Sequence, residues 1–153
     1  MKKLRVSYCR QKKDYTCGIA CFCMVSKFFG AKISQPLIVR LSKKWTTTMK
    51  GIPTGAMEKI ADELGLSHTE KKNASFRDIS FFLEKDIPVI VNYIEPSHED
   101  GHYAVVVGLD RKNIILNDPW NGKGFALPRK FFMKRWHGKY EKTKRWMLAI
   151  WEK

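Results

Sequence analysis

The stretch from Cys17 to Phe29 constrains this chain most. Its residues, Cys17 Gly18 Ile19 Ala20 Cys21 Phe22 Cys23 Met24 Val25 Ser26 Lys27 Phe28 Phe29, are apolar on almost every side of a helix. A helix without a polar face has to be covered all round, so the run predicts a helix through the centre of a domain, stopped by Gly30. It is far shorter than the ~20 apolar residues that a bilayer-spanning helix needs, so no transmembrane segment is expected. The start of the chain, Met1 Lys2 Lys3 Leu4 Arg5 Val6, is broken by Arg5, and Cys9 to Tyr15 is mostly polar. That pattern lacks a signal-peptide core, and a cytoplasmic location is the expectation.

The remaining elements have to cover that helix. Ser34 to about Lys43 predicts a second helix, capped by Ser34 with Pro36 in its first turn. Thr54 to Leu64 predicts a third, with Met57, Ile60, Ala61 and Leu64 at spacings of three and four. Ser75 to Lys85 predicts a fourth that buries Ile79, Phe82 and Leu83. The pattern then turns β-branched at Ile87 to Ile94, His102 to Leu109 and Asn113 to Asn117, with the turn residues Asp110 to Asn113 joining the last two runs into a hairpin. A short helix from Arg129 to Trp136 and a final strand from Trp146 to Trp151 follow. Helices first and strands second imply an α+β domain with helices on one side of an antiparallel sheet. No repeat, low-complexity tract or Pro/Gly-rich linker divides the 153 residues, so residues 1–153 read as one domain.

Charge narrows the partners less than its size suggests. The formal charge is +14, but lysines and arginines are spread over nearly every segment, which is the pattern of a solvated basic surface. No phosphate loop, zinc-finger spacing or RNA-binding aromatic signature accompanies the charge, so nucleic acid is not an expected partner. The basic and aromatic run Phe131 to His137 reads as an amphipathic helix with its aromatics in the core.

Cys9, Cys17, Cys21 and Cys23 all fall in one N-terminal stretch, without the paired spacing of a structural zinc site, and no metal or organic cofactor is expected. Cys9, Cys21 and Cys23 read as structural. Cys17 is different, because it stands where the polar loop Gln11 to Thr16 becomes the buried helix. Unpaired N–H groups and the positive end of the helix dipole stabilise a thiolate there. Gly18 leaves the backbone open to a substrate carbonyl, the Cys17 N–H is one oxyanion donor, and the side-chain amide of Gln11 is a second.

His102 opens the strand Gly101 His102 Tyr103 Ala104 Val105 Val106 Val107 Gly108, and Asp118 ends the next one in Asn117 Asp118 Pro119 Trp120. A hairpin of those strands brings the carboxylate to the imidazole, where one hydrogen bond selects the ring tautomer. Asp118 is also placed for an Asx turn with Pro119. The string His98 Glu99 Asp100 Gly101 His102 satisfies H-E-x-x-H, but that zinc motif works only on a helix. Pro96, Gly101 and the β-branched run that follows put it in a loop entering a strand.

Gln11, then D-Y-T-C-G-I-A-C at 14–21, G-H-Y-A-V-V-V-G at 101–108 and N-D-P-W at 117–120 together resemble the C39 and C39-like cysteine peptidases, the papain-like domains that cut leader peptides from bacteriocin precursors. The resemblance runs from Gln11 to Trp120. It implies a papain-like fold with the N-terminal helices packed against an antiparallel β-sheet. It also implies Cys17 as nucleophile, His102 as general base and acid, Asp118 as the orienting carboxylate and Gln11 as the oxyanion glutamine. The substrate it implies is a peptide or protein cut through a Cys17 thioester, with a Gly-Gly leader peptide as the family's example. Family members are often fused to a transporter, and here a separately encoded transporter is the corresponding partner. The basic charge would suit an acidic substrate. Two other readings stay open at this point: a papain-like acyl or peptidyl transferase, and a non-catalytic peptide- or nucleic-acid-binding module on the same fold.

Overall fold

The computed structural model describes residues 2–30 and 33–152. Helix α1 spans Cys17–Phe28, α2 Gln35–Ser42, α3 Thr54–Glu63, α4 Phe76–Glu84 and α5 Arg129–Arg135. The strands are β1 Leu66–Lys71, β2 Val89–Ile94, β3 Gly101–Leu109, β4 Asn113–Asp118, β5 Gly122–Pro128 and β6 Met147–Glu152. Among the described residues they form one sheet in the order β1-β6-β2-β3-β4-β5, with every neighbouring pair antiparallel. No helix among these residues is long and apolar enough to cross a membrane.

Each helix follows from its local chemistry. In α1 every residue from Cys17 to Ser26 is buried, as an all-round apolar helix requires. Ser34 caps α2 by accepting from Leu37 N, with proline in the first turn. Ser75 and Asp78 form a reciprocal capping box that starts α4. Phe132 of α5 and Trp136 just past its end lie one turn apart and are buried, Lys130 and Lys134 are exposed, and Arg129 lies over the Phe76 ring. Phe132 and Trp136 are therefore core, whereas Phe131 is exposed with Arg135 lying over its ring, so the expectation of an aromatic core holds for only part of the segment.

Two faces of the sheet are covered. Tyr103 of β3 lies against Gly18 of α1, where an added Cβ would stand 3.4 Å from the Tyr103 ring. Tyr93 stands opposite His102 across β2 and β3 and packs on Phe132 of α5, with ring centroids 5.4 Å apart. Tyr103 and His102 are successive residues and point to opposite faces, so α1 and α5 cover different sides. The sequence pointed to helices on one side, because the packing face of a short late helix is not written in its own periodicity.

Strands β1 and β5 are the elements that the sequence pattern did not predict. Both lie at the edges of the sheet, and both are partly exposed along most of their length. Leu66 Ser67 His68 Thr69 Glu70 Lys71 is polar, and β5 carries two glycines and a terminal proline, so neither shows the apolar alternation of a buried strand. Pairing to β6 and β4 makes them strands.

Candidate active site

Strand β3 carries His102 at its second residue, and β4 delivers Asp118 as its last. The hairpin brings them together: His102 Nε2 lies 2.7 Å from Asp118 Oδ1. Both side chains are buried, at 5% and 0% exposure. The same Oδ1 accepts from the backbone N–H groups of Trp120 and Asn121, each at 2.9 Å, which is the Asx turn expected at Asp118-Pro119. Asp118 Oδ2 accepts from the Tyr93 hydroxyl, and its backbone carbonyl accepts from Tyr8 Oη at 2.7 Å. A carboxylate with this many donors has one available orientation.

With Nε2 taken by Asp118, Nδ1 is the nitrogen left for Cys17, which lines the same cavity beside His102. Burial works against the imidazolium, but the charge and hydrogen bond of Cys17, together with Asp118, outweigh it and raise His102 to about 10. Burial likewise pushes Asp118 up, yet the hydrogen bond and charge of His102, helped by Asn121 N–H and the Tyr93 hydroxyl, hold it below the usual carboxylate range. Burial, and after it the same carboxylate, drive the Tyr93 hydroxyl upward, so it stays a proton donor.

Cys17 is the first residue of α1. Thr16 before it makes no side-chain cap, because its hydroxyl is engaged with Lys13. Cys21 is one turn further on and fully buried, and burial raises its thiol well above normal, so it is not poised to react. Gly18 has a different use from the one the sequence suggested. A Cβ there would meet Ile52 at 3.2 Å and both Met57 and Tyr103 at 3.4 Å, so the glycine serves close packing of the helix.

Gln11 is buried, and its backbone N–H donates to Pro119 O at 3.1 Å, next to Asp118. Its side-chain Nε2 donates to Lys13 O at 2.9 Å and Asp14 O at 3.3 Å, while Oε1 is buried without a partner. Reversing the amide would set Oε1 against two carbonyls, so this orientation is dictated by its neighbours. Both donor hydrogens are therefore committed, and Gln11 is not among the residues that line the cavity beside Cys17.

That cavity has a volume of about 470 Å³. Cys17, His102 and Tyr103 form one wall, the loop Thr48 to Pro53 a second, and the loop Gly138 to Glu141 a third. Glu141 ties the two loops together by accepting from Thr54 N at 3.1 Å and Thr54 Oγ1 at 2.6 Å. Gly101 lets the third wall pass close, since a Cβ there would lie 3.0 Å from Lys139 Cβ. An ion pair of 2.7 Å between Lys139 and Asp100 stands at the rim. A room of this size, with a thiol and an imidazole on its wall, suits a nucleophilic attack on a carbonyl.

The H-E-x-x-H string does not form a zinc site. His98 is in an exposed turn against Trp120, and Glu99, at φ 56°, pairs with Arg135. His102 is in the strand that follows, so the two histidines share no helix face. Tyr93 and Tyr8 escaped the sequence reading. The signal for Tyr93 was its position opposite His102, legible only once β2 and β3 are set in register.

The sequence profile of the peptidase C39 family matches residues 5–141. The chain is 30% identical over 139 residues to the lactococcin-G-processing and transport ATP-binding protein LagD of Lactococcus lactis, covering 90% of this chain and 18% of that one. It thus spans less than a fifth of that relative. The peptidase domain of Streptococcus ComA, a bifunctional ABC transporter, superposes with a TM-score of 0.74 at 23% identity, covering 97% of this chain and 100% of that domain. A double glycine motif protease from an AMS/PCAT transporter, solved with its leader peptide, superposes with a TM-score of 0.70 at 18% identity, covering 97% and 93%. Both superpositions support the papain-like α+β fold.

Proposed function

The chain belongs to the peptidase C39 family and is a cysteine peptidase, and on that footing we propose that Cys17, His102 and Asp118 carry its chemistry, cutting a peptide after the Gly-Gly of its leader. One observation supports the roles above all: a single imidazole lies between the Asp118 carboxylate, 2.7 Å away, and the Cys17 sulfur at the wall of the cavity.

The steps follow from those atoms. The Cys17 thiolate attacks the scissile carbonyl carbon, and the oxyanion is met by the Cys17 backbone N–H at the open end of α1. His102 gives the proton on Nδ1 to the leaving amine, and a thioester remains on Cys17. Nδ1, now neutral, takes a proton from water, which attacks the thioester and releases the acid. Asp118 keeps Nε2 protonated throughout, so Nδ1 is the working nitrogen at each step. Gln11 joins the oxyanion site only when its amide leaves the carbonyls of Lys13 and Asp14, a rearrangement coupled to substrate.

The Gly-Gly preference rests on the relatives: one is a lactococcin-G-processing transporter, and another is a double glycine motif protease bound to its leader. By the same reasoning the chain acts as a peptidase domain on the cytoplasmic side, working together with a transporter. The test is the rate of Cys17 alkylation by iodoacetamide against pH, read by peptide mass spectrometry in wild type and His102→Ala, beside cleavage of Gly-Gly leader peptides. Fast alkylation at pH 6 that depends on His102, with cleavage after Gly-Gly, is the expected result. Alkylation of Cys17 no faster than of Cys9 or Cys23 would overturn the assigned roles, and cleavage elsewhere would overturn the Gly-Gly preference.

A further inference from the structure

Cys9 and Cys23 are used by nothing in the mechanism above, yet they are not isolated. Cys23 and Lys27 are four residues apart on α1 and share one face of it. Cys9, in the extended segment before the nucleophile, lies over that face. Lys27 Nζ donates to Cys9 Sγ at 3.5 Å, which sets Cys9 over the face where Cys23 lies one turn before Lys27, close enough for the two sulfurs to influence each other. Cys9 is half-buried and Cys23 is buried. The two sulfurs thus differ in the ways that separate an attacking thiol from a resolving one. An oxidant can reach Cys9, and the Lys27 ammonium is held against its sulfur. Burial and the neighbouring Cys9 push Cys23 up to about 11, so it stays a thiol until an electrophilic sulfur is placed beside it.

We infer that Cys9 and Cys23 form a redox-responsive dithiol, oxidised by hydroperoxides to an intramolecular disulfide. The Cys9 thiolate attacks the peroxide oxygen, breaking the O–O bond to give a sulfenic acid and, after protonation, one water. The Cys23 sulfur then displaces hydroxide from that sulfenic acid, which forms the S–S bond and releases a second water. Two thiols lose two electrons and two protons, and one hydrogen peroxide becomes two waters. In a reducing compartment such a bond is transient, as a sensing disulfide has to be.

The position gives the bond a consequence. The segment that carries Cys9 also carries Tyr8, bonded to the Asp118 carbonyl at 2.7 Å, and Gln11, whose N–H meets Pro119 O at 3.1 Å. A Cys9–Cys23 disulfide would fasten that segment to the helix that begins at Cys17.

The experiment uses the full chain as Cys17→Ser, so that the active-site sulfur does not compete. After hydrogen peroxide, peptide mapping without reductant should recover a Cys9–Cys23 linked pair that dithiothreitol releases. Lys27→Met, with its fold checked by circular dichroism, should slow the link by roughly twofold to fivefold, the range of an exposed charge contact. Cys9→Ser should leave Cys23 a free thiol at the same peroxide dose. Sulfinic acid accumulating at Cys9, a link from Cys9 to Cys21 or to a second chain, or an unchanged rate in Lys27→Met would each overturn the inference.

Discussion

Two histidines of this protein each hold a carboxylate at 2.7 Å through Nε2, His102 with Asp118 and His68 with Asp62. His102 is in the middle of the sheet on β3, and His68 is on the edge strand β1, facing Asp62 and Glu58 of α3. Asp118 is fully buried and bound by four further donors, whereas the Asp62 side chain is 68% exposed. The distance between the partners is the same, and what differs is everything around them. A histidine–carboxylate contact becomes chemical equipment when water is excluded, when the carboxylate has one orientation, and when the second nitrogen meets a nucleophile.

The sharpest way to separate the two contacts is to delete each histidine. His102→Ala should lower kcat/KM for peptide cleavage by roughly 10³-fold, and His68→Ala should stay within about twofold, both measured on folded protein. Equal losses would show that the outer contact matters as much as the inner one. The carboxylates should divide in the same way, with Asp118→Asn costing about 10²-fold or more and Asp62→Asn leaving turnover unchanged.

Tyr93→Phe tests the orientation argument itself. It removes one donor from a buried carboxylate while keeping the ring that packs on Phe132, and should cost about 2 kcal/mol of stability in denaturant unfolding. Activity should fall less than in Asp118→Asn, because Trp120 and Asn121 still hold Oδ1.

The pH dependence of stability has a different window for each cluster. His102 is raised from 6.5 to about 10, so its contribution is complete below pH 6.5 and is lost as pH rises through about 10. In the outer cluster a hydrogen bond shared with Glu70, with partial burial, raises Glu58 from 4.5 to about 7. Its contribution is complete below pH 4.5 and is lost as pH rises through about 7. Thermal unfolding against pH should therefore lose its slope between 4.5 and 7 in Glu58→Gln, and its slope between 6.5 and 10 in His102→Ala. A slope that survives its own variant would assign it to another group.

The comparison also shows where sequence reading works. The buried contact was visible because Gly101 to Leu109 and Asn113 to Asp118 are strongly patterned strands joined by an evident turn, which carries His102 towards Asp118. The outer contact was not visible, because β1 is polar and its strand state depends on pairing with β6, some eighty residues later in the chain. Strand β5 was missed although its partner β4 directly precedes it, because its two glycines and terminal proline break the apolar alternation.

By itself the sequence determined the central helix, the capped helices, the β3–β4 hairpin and the order of Gln11, Cys17, His102 and Asp118 along the chain. These are local properties, since periodicity, caps and turns are written within a dozen residues of where they act. Tertiary structure alone decided that Tyr93 and Tyr8 close on Asp118, that Gln11 spends its amide on two carbonyls, that Gly18 serves packing, and that Cys9 meets Cys23 and Lys27. Most of those contacts join residues far apart in the chain, and even the short-range turn of Gln11 is set by which neighbours offer carbonyls. Strand register and the path of the N-terminal segment across α1 settle them, and no residue's own pattern encodes either one.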